Sequence, residues 1–135
     1  IETTIDLKGN EEGVIVCVGG MTGGYTMFIK EGRLYFDYNY LDGVYYTLAS
    51  QKLPEGPTKL KFNFKATKMF GGKGELFVNG KKVDEVDMPA MHRSTYSLAE
   101  TFDVGIDTGT QVSKIYNGTF PFKGTLDRVK ITLTD

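Results

Sequence analysis

In the run Lys59-Leu60-Lys61-Phe62-Asn63-Phe64-Lys65 every second residue is apolar and those between are polar. A pleated strand turns successive side chains to opposite faces, so this pattern sends Leu60, Phe62 and Phe64 into a core and the lysines to water. The same period predicts strands that bury Ile1, Thr3, Ile5 and Leu7, then Phe102, Val104 and Ile106, and finally Val129, Ile131 and Leu133. Residues 14–18 are apolar throughout, the mark of a strand covered on both faces. Turn chemistry separates the runs. Asn79-Gly80 between two short apolar segments predicts a hairpin, because both residues tolerate positive φ. Glu31-Gly32, Asp42-Gly43 and Glu55-Gly56-Pro57 predict further turns. No stretch keeps a helical period for three turns, although Pro89 opens a segment, 88–100, with room for a short helical turn.

Strands recurring every ~8–12 residues predict an all-β, two-sheet antiparallel jelly-roll-like sandwich of roughly ten to thirteen strands. At 135 residues the chain is one domain, 1–135, long enough for a two-layer core. Seventeen glycines, eight tyrosines and nine phenylalanines suit many short strands and tight turns. The absence of tryptophan and of a cysteine pair argues against an immunoglobulin sandwich. A net charge of −1 gives no global reason to expect nucleic acid or an anionic membrane as partner. No apolar run reaches the ~18 residues of a membrane-spanning helix. The chain opens inside a predicted strand, as expected of a segment from a longer protein.

Candidate chemistry is sparse. Cys17, the only cysteine, sits in the apolar run, so a buried, inert thiol is expected. His92, the only histidine, cannot by itself build a multi-histidine zinc site or a base with its orienting partner, and reads as a solvated loop residue. Asp103 and Asp107 would stand about 13 Å apart on an extended strand, and share an ion only if the chain folds back at Gly105; no metal site is expected. Asp107, Thr108 and Thr110 surround Gly109 in a loop whose side chains either bond the local backbone or meet a neighbouring domain. The runs Gly19-Gly20, Gly23-Gly24 and Gly71-Gly72-Lys73-Gly74 lead into strands rather than helices, so they read as turns and not as phosphate loops.

Two surfaces invite a binding role. Tyr35, Asp37 and Asn39 share one strand face, with Tyr45 able to join from the next strand, an aromatic-plus-polar set suited to a sugar or to a domain interface. Lys59, Lys61 and Lys65 share a face within 59–82, which holds seven lysines and one acid, Glu75. Such a stripe is either a solvated or edge-protecting feature or a patch for a sulfated polymer.

Several segments together resemble the C-terminal domain of the larger bacterial arylsulfatases, whose fold is similar to the concanavalin A/laminin-G sandwich. They are Glu-Gly-Val-Ile-Val at 12–16, Gly-Gly-Met-Thr-Gly-Gly-Tyr at 19–25, and residues 30–39, 53–56 and 76–83. Asp-Val-Gly-Ile-Asp-Thr-Gly-Thr-Gln-Val at 103–112 and Phe-Pro-Phe-Lys-Gly-Thr-Leu at 120–126 are the most specific. The sequence departs from the family at Ile106, usually basic, and at Gln111, often proline. The resemblance implies an accessory module that packs on and supports an upstream sulfatase catalytic domain, itself hydrolysing sulfate esters with calcium and a formylglycine. That chemistry needs Cys/Ser-x-Pro-x-Arg, which this chain lacks, so no catalytic residue and no cofactor are expected here. A carbohydrate-binding module, with sulfated glycans among its ligands, is the alternative. The resemblance also implies a periplasmic or secreted location.

Overall fold

A computed structural model describes residues 1–41, 43–69, 71–89 and 102–133. Nine strands are present among them: β1 (Glu2–Leu7), β2 (Gly13–Gly20), β3 (Gly23–Lys30), β4 (Arg33–Leu41), β5 (Val44–Lys52), β6 (Gly56–Lys68), β7 (Gly71–Val78), β8 (Lys81–Met88) and β9 (Phe102–Val104). They form two antiparallel sheets, one of four strands in the order β1-β6-β7-β8 and one of five in the order β5-β4-β3-β2-β9. The expected two-sheet, all-β sandwich is therefore present. Nine strands are described where roughly ten to thirteen were expected, and several are long, β6 running for 13 residues.

The alternation works as read for β1 and β6. Ile5, Leu7, Leu60 and Phe62 are buried and join Leu76 and Met88 against Ile15, Met27, Leu34, Phe36, Tyr38 and Leu48 of the other sheet. Phe36 and Phe62 stack across the two layers with ring centroids 3.5 Å apart. The predicted turns take the expected geometry, with φ of 52° and 80° at Asn79-Gly80 and 52° and 74° at Glu31-Gly32. Asp42 lies outside the described residues; its neighbour Gly43 has φ 78°.

Three expectations need correction. Residues 71–74 are not a turn: they open β7, where the missing side chains make space for the rings of β6. A Cβ on Gly72 would stand 2.7 Å from Phe64 Cζ and 2.2 Å from the Lys65 carbonyl oxygen. Phe102 and Val104 are not core residues, being 51% and 48% exposed on the last strand of the five-stranded sheet. The closing segment forms no strand. It meets β1 through a bridge from Glu2 to Lys130 and a hydrogen bond from Thr3 Oγ1 to the Arg128 carbonyl, and leaves Ile131 and Leu133 exposed.

The five-stranded sheet is covered on its second face too. Residues 105–122 cross its outer side without regular structure, and Val112, Tyr116, Ile115 and Phe120 pack there on Val14, Cys17, Phe28 and Tyr35. Backbone bonds pin this cover, including Gly105 N–H to the Ile15 carbonyl and Val14 N–H to the Phe120 carbonyl. This explains why β2 is apolar at consecutive positions: Val14 and Cys17 face the cover, while Ile15 and Val16 face the other sheet.

Candidate functional site

Tyr35, Asp37 and Asn39 do share one face of β4, and that face lies beneath the cover. Tyr35 stacks on Phe28, with centroids 5.1 Å apart. Asp37 is 1% exposed and accepts hydrogen bonds of 2.6 Å from Thr47 Oγ1 and from Ser113 Oγ. Burial pushes its carboxyl above the usual carboxylate range, and the two hydroxyl donors only partly offset that. The amide of Asn39 faces the carbonyls of Gly20, Met21 and Val112 at 3.1–3.2 Å, tying the β2–β3 hairpin to the cover. Tyr45 stands at the margin, its ring 5.2 Å from the Lys114 ammonium. The chain itself occupies the polar and aromatic groups that the sequence offers as a sugar-binding face.

Asp107, Thr108 and Thr110 are the fasteners of that cover. Asp107 Oδ2 accepts from Val112 N–H at 2.9 Å and from the Tyr116 hydroxyl, and Thr26 Oγ1 lies 3.3 Å from the same hydroxyl. Thr108 donates to Asp103 Oδ2 through both N–H (3.1 Å) and Oγ1 (2.6 Å). Thr110 Oγ1 accepts from Met21 N–H at 2.9 Å. The separation expected for Asp103 and Asp107 is overturned. Gly105, at φ 79°, bends the chain immediately after β9, and one oxygen of each carboxylate and Cys17 Sγ all lie within 4.8 Å of one another. Only a residue without Cβ takes that backbone conformation freely.

The electrostatics here follow from dryness. Asp107 is fully buried, and burial, before any partner, pushes its carboxyl above the ordinary range. Burial likewise drives the Cys17 thiol and the Tyr116 phenol upward. Cys17 Sγ–H donates to the Ile106 carbonyl at 3.4 Å, the setting of an unreactive thiol.

The lysines lie elsewhere, on the outer face of the four-stranded sheet. Lys59 pairs with Glu2 at 3.2 Å, Lys65 with Glu75 at 3.3 Å, and the Lys61 ammonium stands 5.7 Å from the centre of the Phe77 ring. Lys73 and Lys82 meet Glu85, and Lys82 also meets Glu75. Burial raises the Glu75 carboxyl, but Asn63 and the Lys65 and Lys82 ammonium groups hold it below the usual range. Two of the acids that balance the stripe, Glu2 and Glu85, lie outside 59–82, so counting along that run overlooks them. β6 lies between β1 and β7 and is not an edge strand.

An opening of about 850 Å³ is bounded by residues of both sheets. It is lined mainly by apolar groups, among them Ile1, Tyr25, Phe36, Phe62 and Phe64, and its few polar groups include Asn63 and Lys65. A ligand site ordinarily converges a few polar groups on an apolar cavity, and here no nucleophile–base pair does so. His92 lies outside the described residues. Residues missed from sequence include Gln111, whose Nε2 donates to the carbonyls of Ser113 and Tyr116 while Oε1 accepts from Gly118 N–H. A glutamine in a glycine-rich loop was the only signal. Compared with known proteins, the chain matches no family model and no curated protein.

Proposed function

We propose that the chain is a non-catalytic β-sandwich domain that packs on and supports an upstream sulfatase catalytic domain, in the manner of the C-terminal module of an arylsulfatase. The reading starts from the resemblance of segments 103–112 and 120–126. One observation carries it further: the groups able to do chemistry are spent inside the fold, while large apolar side chains stand in water. Asp37 and Cys17 are buried under residues 105–122 and Asp107 is buried within them, whereas Phe102, Val104 and Leu133 are 51%, 48% and 93% exposed. Covering a side chain of this size is worth ~1.5–3 kcal/mol, so a docked neighbour would be held by a few such contacts. Such a domain acts mechanically, by excluding water from a flank of the enzyme and shaping the mouth of its active site.

The test uses the parent protein. Deleting the segment that starts at Ile1 lowers the melting temperature and solubility of the catalytic domain, and Phe102→Ser with Leu133→Ser in the intact parent reproduces part of that loss. Three results would overturn the reading. One is a parent without Cys/Ser-x-Pro-x-Arg upstream. Another is an isolated chain that binds a sulfated glycan in calorimetry with an affinity that Lys59, Lys61 and Lys65→Ala abolish. The third is turnover of a sulfate ester by these residues alone.

A further inference from the structure

We propose that Cys17, Asp103 and Asp107 form a buried site for a divalent metal of the zinc class, which staples residues 105–122 to strand β2. The inference is independent of any role beside a sulfatase. Its first support is the convergence of three ligand residues, one thiol and two carboxylates, from two parts of the chain. Cys17 comes from the middle of β2, Asp103 lies opposite it in the β2–β9 register, and Asp107 returns to them through the bend at Gly105. Their ligand atoms lie within 4.8 Å of one another. A point no farther than about 2.8 Å from any of the three therefore exists, and small side-chain rotations bring it to the ~2.0–2.3 Å of zinc–oxygen and zinc–sulfur bonds.

The second support is separate from the clustering. Asp107 Oδ1 is fully buried and accepts no hydrogen bond, the only side-chain atom in that state among the described residues. Oδ2 is already taken by Val112 N–H and the Tyr116 hydroxyl, so Oδ1 is the oxygen left for the cluster. Besides Tyr116 and Val112, the groups that act on this carboxyl are the Cys17 thiol and the second carboxylate, Asp103, and no basic side chain is among those described. A dry carboxylate oxygen without a hydrogen-bond partner is costly, and nearly all such groups in folded proteins have one. A metal ion held with Cys17 and Asp103 would supply that partner.

The surroundings suit a structural centre. Thr108 fixes Asp103 through two hydrogen bonds, and Val112 and Tyr116 fix Asp107, as the outer partners of metal ligands do. The Ile106 carbonyl, 3.4 Å from Cys17 Sγ, is placed to be a fourth donor. One thiolate with carboxylate and carbonyl oxygens selects a borderline ion such as Zn²⁺ or Co²⁺ over Ca²⁺ or Mg²⁺, which take oxygen alone.

The single cysteine makes the test clean, since any thiolate-to-cobalt charge-transfer band must arise at Cys17. The intact chain, stripped with a chelator, is titrated with Co²⁺ and then Zn²⁺. The expected results are a near-ultraviolet band saturating at one equivalent, its loss when Zn²⁺ displaces the cobalt, and a melting temperature raised by roughly 8 °C at 100-fold Zn²⁺ over Kd. Cys17→Ala removes the band and Asp107→Asn weakens binding at least about 10-fold, whereas Asp6→Asn on the surface changes neither. A wild-type chain with no cobalt band and no melting shift overturns the proposal. So does stabilisation by Ca²⁺ but not by Zn²⁺ or Co²⁺, or a band that survives in Cys17→Ala.

Discussion

At the level of single residues, the consequential polar groups are those sealed beneath residues 105–122. Asn39 presents its amide to three carbonyl oxygens, so Asn39→Asp sets acceptor against acceptor in a buried place. A loss of about 2–4 kcal/mol, read from urea unfolding at pH 7, is expected, and a loss under 1 kcal/mol would contradict the geometry. Asp37 makes a pH-dependent case. Its folded-state pKa is raised by burial, so the unfolded chain ionises first as pH climbs. The stability it lends is fully present below about pH 3.9, the unfolded value, and fades as pH rises through the higher folded value. Wild type should thus lead Asp37→Asn most at low pH, the gap between their urea midpoints narrowing towards pH 7. A gap that widens with pH would mean the fold favours the charge. Sequence alone placed Tyr35, Asp37 and Asn39 on one face. It did not reveal that residues 76 and 73 positions further on, Ser113 and Val112, would cover Asp37 and Asn39.

Strands and turns were the most legible level, because period two and positive-φ residues are local properties. β1, β6 and the Asn79-Gly80 hairpin follow from them directly. Reading failed where a residue answers to a neighbouring strand. Gly72 signals a turn on its own, yet β7 needs it because Phe64 and the Lys65 backbone occupy the space of a side chain. Gly72→Ala should therefore cost about 2–4 kcal/mol through overpacking, well beyond the conformational effect of the substitution. Gly105→Ala is the contrast: a Cβ there meets only Leu126, at 3.7 Å, so the cost is that of left-handed backbone, ~1–2 kcal/mol. Chemical denaturation of the two variants side by side checks the order, and equal losses would refute it. On the outer lysine face, Lys59→Ala should leave the melting temperature within about 2 °C, because exposed ion pairs contribute little.

For the molecule as a whole, the five-stranded sheet is enclosed and the four-stranded sheet is wet on its outer side. The sandwich itself was readable from strand spacing. The third layer was not, since residues 105–122 lack any period and are held by individual bonds such as that from Tyr116 to Asp107. Tyr116→Phe keeps the ring packing on Phe28 and removes that donor. It should cost about 1–3 kcal/mol in urea unfolding and raise amide hydrogen exchange in residues 105–122 before exchange rises in β3 and β4. Uniform loss of protection would show instead that the layer is inseparable from the sheet.

The register of β2 also dictates an order of events during synthesis. Its neighbour on one side, β3, leaves the ribosome almost at once, but the partners of its other edge and outer face are Asp103, Gly105 and Phe120. Until those last segments emerge, a strand of consecutive apolar residues waits half-clothed, the condition in which nascent β-proteins stick to one another. A chaperone that shields 14–18 on the growing polypeptide would find its binding window opened by translation of β2 and shut by translation of residue 120.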